Sequence, residues 1–144
     1  MGRRAFAHDY TRPGFYHITI RVVDGLGRPL GSVVGTDADT AAVALTPVGE
    51  AVRSELLTAI TAHYPMVTVD TYAVMPEHLH VLLRAHSAIV SRNGRPTHLG
   101  QVMAGFKYGC NRRYWALTGR IALAAEQPGA GIIIKKSCLS FIKQ

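Results

Sequence analysis

Apolar residues recur along this chain at two different spacings, and the order of those spacings constrains the fold more than any other feature. The first spacing has a period of two, which is typical of a strand with one buried face, and it covers residues 16–22. The apolar side of this strand carries Tyr16, Ile18, Ile20 and Val22, and the polar side carries His17, Thr19 and Arg21. The sequence therefore predicts a first strand whose two faces differ in chemistry.

A helical spacing follows this strand. Apolar residues recur at steps of four across residues 47–63, which predicts an amphipathic helix. Thr46 is the expected N-cap, and the helix is expected to end before Pro65. The small and polar residues that precede the helix, up to Leu45, are expected to form a hairpin-like excursion or a loop.

Two further strands are predicted after the helix. Residues 66–74 are rich in β-branched side chains, and residues 77–84 alternate again between apolar and polar positions. Met75 and Pro76 form the bend between them, because proline fits best at the start or edge of a strand. Residues 85–96 contain serine, asparagine, glycine and proline and are expected to form a solvated loop.

The C-terminal third of the chain is predicted to hold a second helix and a short strand. The helix is expected to be capped by Thr97, with apolar residues at helical spacing from Leu99 to Leu117, and the strand is expected at Ile132–Ile134. The order strand, helix, strand, strand, helix, strand predicts an α+β protein. Its expected fold is the ferredoxin-like βαββαβ arrangement, an antiparallel sheet with two helices on one face.

Length and composition limit the class of protein. With 144 residues, 48% of them hydrophobic, the chain is expected to form a single core. No apolar run approaches the roughly 20 residues of a membrane span, and the N-terminal residues lack the apolar segment of a secretion signal. We therefore expect a cytoplasmic protein without a membrane partner.

The net charge indicates what kind of partner the protein binds, and the cysteine content indicates whether disulfides or zinc sites are expected. The 16 Lys and Arg residues exceed the 9 Asp and Glu residues and give a formal net charge of +7, which favours a polyanion such as a nucleic acid. Cys110 and Cys138 are far apart and lack metal-type spacing, so neither a disulfide framework nor a zinc ribbon is expected. Cys110 is expected in the core.

Two histidines stand two positions apart in the predicted third strand. The side chains of His78 and His80 therefore point to the same face, with Cα atoms about 6.6 Å apart. Two imidazoles at that separation can turn toward one ion and form half of a metal site. A divalent ion such as Mg²⁺ or Mn²⁺ would need further ligands and could keep positions open for a phosphate. The alternative is a pair of solvent-facing histidines on an open sheet.

The histidine pair lies inside a longer segment, residues 72–83, which includes Met-Pro-Glu-His-Leu-His. This segment resembles the histidine–hydrophobic–histidine strand of REP-associated tyrosine transposases, which are single-tyrosine HUH transposases, and of their insertion-sequence relatives. Residues 14–21 and 99–107 are similar to the family's first strand and to the helix after its motif. The resemblance covers about residues 10–117.

The resemblance implies a ferredoxin-like domain that binds single-stranded or hairpin DNA. The family cuts one strand through a 5′-phosphotyrosine intermediate, with a divalent metal polarising the phosphate. His78 and His80 match the family's two histidine ligands. Lys107, Arg112 and Arg113 are similar to the family's basic helix, which can hold DNA phosphates. A merely solvated helix face is the alternative.

The polar side of the first strand is expected beside the histidine pair, because the first and third strands of a ferredoxin-like sheet are neighbours. Arg21 is then a candidate phosphate contact, or alternatively a solvated cation. His17 is a candidate DNA-facing group or a support for a metal ligand, or alternatively a structural histidine. Glu77 alternates to the other side, so no carboxylate is expected on this face.

The resemblance does not extend to the end of the chain. In the family the nucleophilic tyrosine lies on a later helix, whereas no tyrosine follows Tyr114 here. The expected organisation is a transposase-like domain over residues 1–119 and an atypical segment over residues 120–144, truncated or frame-shifted relative to the family, that can supply an edge strand. Tyr108 faces away from the apolar stripe and is the candidate nucleophile within the chain, whereas Tyr114 and Tyr72 are expected to pack.

The sequence leaves three functions open. The first is a DNA transposase domain, an endonuclease and strand transferase that retains DNA and metal binding. The second is a non-catalytic DNA-binding module derived from such an enzyme. The third, a metal-dependent hydrolase, is less favoured because no carboxylate shares the histidines' face. Relatives act as monomers or as dimers, so a homodimer is one expected assembly.

Overall fold

The structure, a computed structural model, describes residues 10–22 and 28–118 and the backbone of residues 134–142. Within that part of the chain the elements are, in order, β1 (Gly14–Val22), β2 (Gly31–Val34), β3 (Ala42–Leu45), α1 (Pro47–His63), β4 (Val67–Val74), β5 (His78–Ala85), α2 (Leu99–Thr118) and β6 (Ile134–Ile142). The predicted bounds of α1 are confirmed, β4 begins one residue later than predicted, and β5 begins and ends one residue later than predicted.

Four strands form one antiparallel sheet in the order β4-β5-β1-β6. This is the strand order of the ferredoxin-like arrangement, so the predicted α+β fold is confirmed. The excursion before α1 is a separate two-stranded hairpin of β2 and β3. It leaves the strand order of the sheet unchanged and lies in the chain between the first strand and the first helix.

The fourth strand of the sheet is longer than predicted. β6 pairs with β1 from Ile142, opposite Phe15, to Lys136, opposite Arg21. The predicted strand at Ile132–Ile134 shares only its last residue with β6, and its first two residues lie outside the described part. Lysine and serine at positions 135–137 interrupt any apolar period, so alternation could not reveal a strand whose place is set by pairing.

The ends of the helices follow local chemistry. The side chain of Thr46 accepts a hydrogen bond from the Gly49 amide at 3.0 Å, and Pro47 occupies the first turn, as predicted. For α2 the prediction of Thr97 as the cap was wrong by one residue. The carbonyl of His98 already accepts from the amides of Gln101 and Val102, so His98 holds the cap position.

One hydrophobic core lies between the sheet and the two helices. Its sheet side consists of buried residues at alternate positions of β1 and β5, and its helix side consists of buried residues at helical spacing: Tyr16, Ile18, Ile20, Leu79, Val81 and Leu83 from the strands, and Val52, Leu56, Ile60, Val102, Met103 and Phe106 from the helices. Both helices therefore cover the same face of the sheet. The intervening strand residues, which include the histidines, lie on the opposite face.

Two groups between the helices belong to their packing. Arg113 donates from Nε to Oε1 of Glu55 at 2.7 Å, and Glu55 is only 5% exposed. Cys110 is buried beside this pair, as predicted, and burial raises the pKa of its thiol far above the ordinary value. The thiol therefore stays protonated and unreactive. Cys138 lies in β6, and its side chain is outside the described part.

No helix in the described ranges is long and apolar enough to cross a membrane.

Candidate functional site

The pairing of β1 with β5 builds the candidate site. In the antiparallel register Thr19 lies opposite His80, and Arg21 lies opposite His78. Because side chains alternate between faces, all four project from the face that the helices leave open. His17 is the next residue of β1 on this face. The structure therefore brings His17, Arg21, His78 and His80 together, as the sequence predicted.

The three imidazoles are in mutual contact. The rings of His78 and His80 have centroids 4.9 Å apart and are nearly perpendicular, at 89°. The rings of His17 and His80 are stacked, with centroids 5.4 Å apart and planes 8° from parallel. The lone pairs of an imidazole lie in the plane of its ring, so the parallel planes of His17 and His80 do not converge on one ion. The perpendicular pair is the better candidate for shared coordination.

Hydrogen bonding distinguishes the nitrogens of the pair. Nδ1 of His80 lies 3.1 Å from the hydroxyl of Thr19. When Nδ1 is protonated and donates a hydrogen bond to the Thr19 hydroxyl, Nε2 of His80 keeps its lone pair for another ligand. Nδ1 of His78 is buried and has no hydrogen-bond partner among the described residues. A buried nitrogen without a partner is costly, and a ligand would remove that cost.

The charge state of His80 also suits a ligand. Burial lowers the pKa of His80 below its ordinary value, and the nearby charges of His78, His17 and Arg21 lower it further. Its imidazole is therefore neutral over a wider range of pH than that of a free histidine. Metal ions bind the neutral form of the ring.

The donor set fits half of a metal centre. Within residues 10–22 and 28–118 no group of three or more His, Cys, Asp or Glu side chains is arranged to hold an ion. His78 and His80 can contribute two nitrogens, and the unpartnered Nδ1 of His78 is the observation that favours a ligand there. The remaining positions of such a site would belong to water or to the oxygens of a bound phosphate.

The predicted DNA contacts fall into two groups on opposite sides of the sheet. Arg21 is exposed and shares the face of the histidines. Lys107, Arg112 and Arg113 belong to α2, which packs on the other face. Of these three, Arg112 is exposed, Lys107 is half-buried, and Arg113 forms the ion pair with Glu55. The structure therefore does not bring the predicted basic helix next to the histidines.

The tyrosines also lie away from the histidines. Tyr108 is 63% exposed but belongs to the layer of helices, with the guanidinium of Arg112 5.9 Å from its ring centroid. Tyr114 is buried, and Tyr72 packs against the core and accepts a hydrogen bond from Arg53 of α1. The sheet separates Tyr108, the candidate nucleophile, from His78 and His80.

One site residue was not assigned a role by the sequence analysis. Alternation placed Thr19 on the polar face of β1, but only the register with β5 shows that its hydroxyl meets His80. The sequence signal was a hydroxyl between His17 and Arg21 on one strand face. That signal is too common to identify a hydrogen bond without knowing the partner strand.

Comparison with protein-family models and with curated protein sequences finds no match. Among solved structures, the chain is similar to a REP-associated tyrosine transposase bound to a REP hairpin, with 12% sequence identity and a TM-score of 0.57. The match covers 97% of this chain and 62% of that chain, so this chain spans less than two thirds of the other protein's length. At this identity the similarity shows that the two proteins share a fold.

Proposed function

We propose that this chain is a transposase-type DNA-binding domain whose open sheet face holds a divalent ion, Mg²⁺ or Mn²⁺, beside a phosphate of single-stranded or hairpin DNA. The observation that carries the proposal is the placement of His78 and His80 on one uncovered face, next to Arg21 and with His80 oriented by Thr19. The solved structure with the same fold was bound to a hairpin, which supports DNA as the partner.

Each side chain of this face has a definite part in binding. Arg21 attracts the phosphate and can donate hydrogen bonds to its oxygens. Thr19 fixes the ring of His80, and the depressed pKa of His80 keeps that ring neutral. His78 and His80 would hold the metal. When bound, the ion supplies positive charge at the phosphate, which favours attack on it.

Strand cleavage by this chain alone is not part of the proposal. The sequence contains six tyrosines, all of them within the described residues. Three are buried, namely Tyr10, Tyr16 and Tyr114, and the remaining three lie on the helix side of the sheet: Tyr64, Tyr72 and Tyr108. A 5′-phosphotyrosine link at the histidine face would therefore need a tyrosine from another polypeptide segment.

The placement of the tyrosines favours a second candidate, a non-catalytic DNA-binding module. In that function the open face recognises a hairpin, and no covalent intermediate forms. The two candidates share DNA binding and differ in whether a tyrosine supplied to the chain can attack the phosphate.

The test is incubation of the protein with a labelled hairpin oligonucleotide and Mn²⁺, followed by native and denaturing electrophoresis. We expect a retained complex in the native gel and no adduct that survives denaturation. Absence of retention would contradict the proposal. An adduct that disappears when one tyrosine is changed to Phe would show that a tyrosine of this chain does reach the phosphate.

Metal binding is measured separately by titration calorimetry with Mn²⁺. His78→Ala and His80→Ala are expected to lower the affinity by about ten-fold or more, as loss of a ligand does. His86→Ala is the matched control, because His86 is an exposed histidine that bonds to Thr68 beyond the end of β5. Equal affinity in all three variants would remove the histidine pair from the proposal.

A further inference from the structure

A pocket of about 600 Å³ opens between α1, α2 and the loop that follows β5. It lies in the layer of helices, on the side of the sheet away from the histidines. Its apolar part is formed by Ile60 of α1 and by Val102 and Phe106 of α2. Pockets that bind small molecules have volumes of about 300–1,000 Å³. The chemistry of the wall therefore decides what this pocket can bind.

Two glycines of α2 lie in the wall of the pocket. A Cβ built on Gly105 would meet no atom within 4 Å, so this position borders open space. Gly109 packs against the carboxylate of Glu55, and any side chain there would collide with Oε2. Glycine lowers the stability of a helix interior. Packing explains Gly109, whereas a side chain at Gly105 would extend into open space at the pocket.

Glu55 places hydrogen-bond acceptors in the wall. It is 5% exposed, and its Oε1 accepts from Nε of Arg113 at 2.7 Å, which holds the carboxylate in place. An ionised carboxylate has about four acceptor sites, and Arg113 occupies one of them through this bond. The wall is thus suited to a ligand that presents N–H donors.

Aromatic and cationic side chains surround the same pocket. Tyr64 follows the last turn of α1, and Tyr108 of α2 has the guanidinium of Arg112 over its ring. Arg92 is exposed on the loop that closes the other side. Aromatic rings and guanidinium planes stack on unpaired bases, and arginine binds phosphate. The pocket thus combines three features that suit a nucleotide. A carboxylate can accept from the N–H groups of a base, aromatic rings can stack on the base, and arginines can bind the phosphate.

We propose that this pocket binds one unstacked base of a single DNA strand, prefers guanine, and holds the adjoining phosphate at Arg92 and Arg112. The pairing edge of guanine carries two adjacent N–H donors, and the Glu55 carboxylate keeps acceptor sites for them beside its bond to Arg113. The pairing edge of thymine has one N–H between two carbonyl oxygens, which a carboxylate repels. The inference rests on the proposed DNA-binding function and adds a DNA contact on the opposite side of the sheet.

The test is fluorescence anisotropy on the full chain, without added metal, with two short labelled single strands. One contains thymidine alone, and the other has a single central dG. The guanine-containing strand is expected to bind about five- to ten-fold more tightly, at the lower end of the discrimination that hydrogen bonds to a base edge provide. Equal affinity of the two strands, or no binding of either, would overturn the proposal.

Gly105→Leu is the blocking variant, because leucine fills the open space and has a higher helix propensity than glycine. It is expected to abolish the preference for guanine. Ala104→Leu is the control, since Ala104 is exposed on the same helix and is not part of the pocket wall. Thermal melting of both variants checks their folding. A preference that survives in Gly105→Leu would show that the base binds elsewhere.

Two further measurements distinguish this proposal from a site for free nucleotides and from metal binding at the histidine face. Free dGMP is expected to compete weakly, and competition at the same affinity as the oligonucleotide would identify a site for free nucleotides and overturn the strand assignment. The double variant His78→Ala/His80→Ala is expected to lose Mn²⁺ binding and keep the guanine preference. Failure at the histidine face and failure at the pocket are therefore observed independently.

Discussion

The contact between Thr19 and His80 is the smallest unit on which the candidate site depends. One hydroxyl engages Nδ1 and leaves Nε2 as the nitrogen that can bind a ligand. Alternation alone places a polar residue opposite His80 but does not specify its distance or its partner atom. The sequence could therefore predict the members of this face, whereas their hydrogen bonds depend on the register between β1 and β5.

We predict that His80 titrates below the ordinary range of histidine and that Arg21→Gln raises its pKa. Burial is the largest cause of the lowered pKa, followed by the charges of His78, His17 and Arg21, so the variant removes only part of the effect. The measurement is a pH titration of the ring signals by NMR. Unchanged ring signals of His80 in the variant would show that Arg21 does not act on it.

The direction of the stability change follows from the same lowered pKa. In the unfolded chain His80 takes up a proton at its ordinary pKa, whereas the folded protein resists protonation until a lower pH. The unfolded state therefore binds more protons between these two values, and the contribution of His80 to stability is lost as the pH falls through that window. Above the ordinary pKa of histidine the contribution does not depend on pH.

At the scale of the elements, the ion pair of Glu55 with Arg113 joins α1 to α2. The sequence analysis placed Arg113 with Lys107 and Arg112 on a basic helix face. Helical spacing shows which face of a helix a side chain lies on. It does not show whether a buried carboxylate on the neighbouring helix, here Glu55, will pair with that side chain. Arg113 therefore could not be separated from its neighbour Arg112 before the packing of α1 against α2 was known.

We predict that Arg113→Ala lowers the free energy of unfolding by about 2 kcal/mol, because it leaves the buried carboxylate of Glu55 without its partner. Arg113 is itself 41% exposed on its side chain, so water can partly replace it and the loss stays below that of a fully buried pair. Arg112→Ala is the matched control and is expected to cost less than about 1 kcal/mol. Urea denaturation measures both, and equal losses would contradict the assigned role.

The elements themselves were predictable where local pattern and caps agree. Thr46 and Pro47 define the start of α1, and Pro65 lies just beyond its end, so local chemistry alone gives both bounds. β6 was predicted only in part because its residues 135–137 are polar and its position depends on pairing with β1. The two-residue step of alternation was sufficient for β1 and β5, which are each buried on one side.

On the scale of the whole molecule, the net charge of +7 is expected to make DNA binding strongly dependent on salt. Affinity for a hairpin should fall as salt rises, and Arg21→Gln should reduce the slope of log affinity against log salt by about 0.7–0.9, the value for one lost phosphate contact. Arg53→Gln is the control, because Arg53 lies on α1 and pairs with Glu50. An equal change of slope in both variants would mean that Arg21 acts through net charge alone.

Gly109 affects how α1 and α2 stay aligned with each other. A movement of α2 that brought any other residue to this position would press its Cβ against Oε2 of Glu55. This contact therefore restricts how α2 can move along α1. Because α2 leads on toward β6 and α1 leads directly into β4, that alignment helps to determine which segments reach the two borders of the sheet.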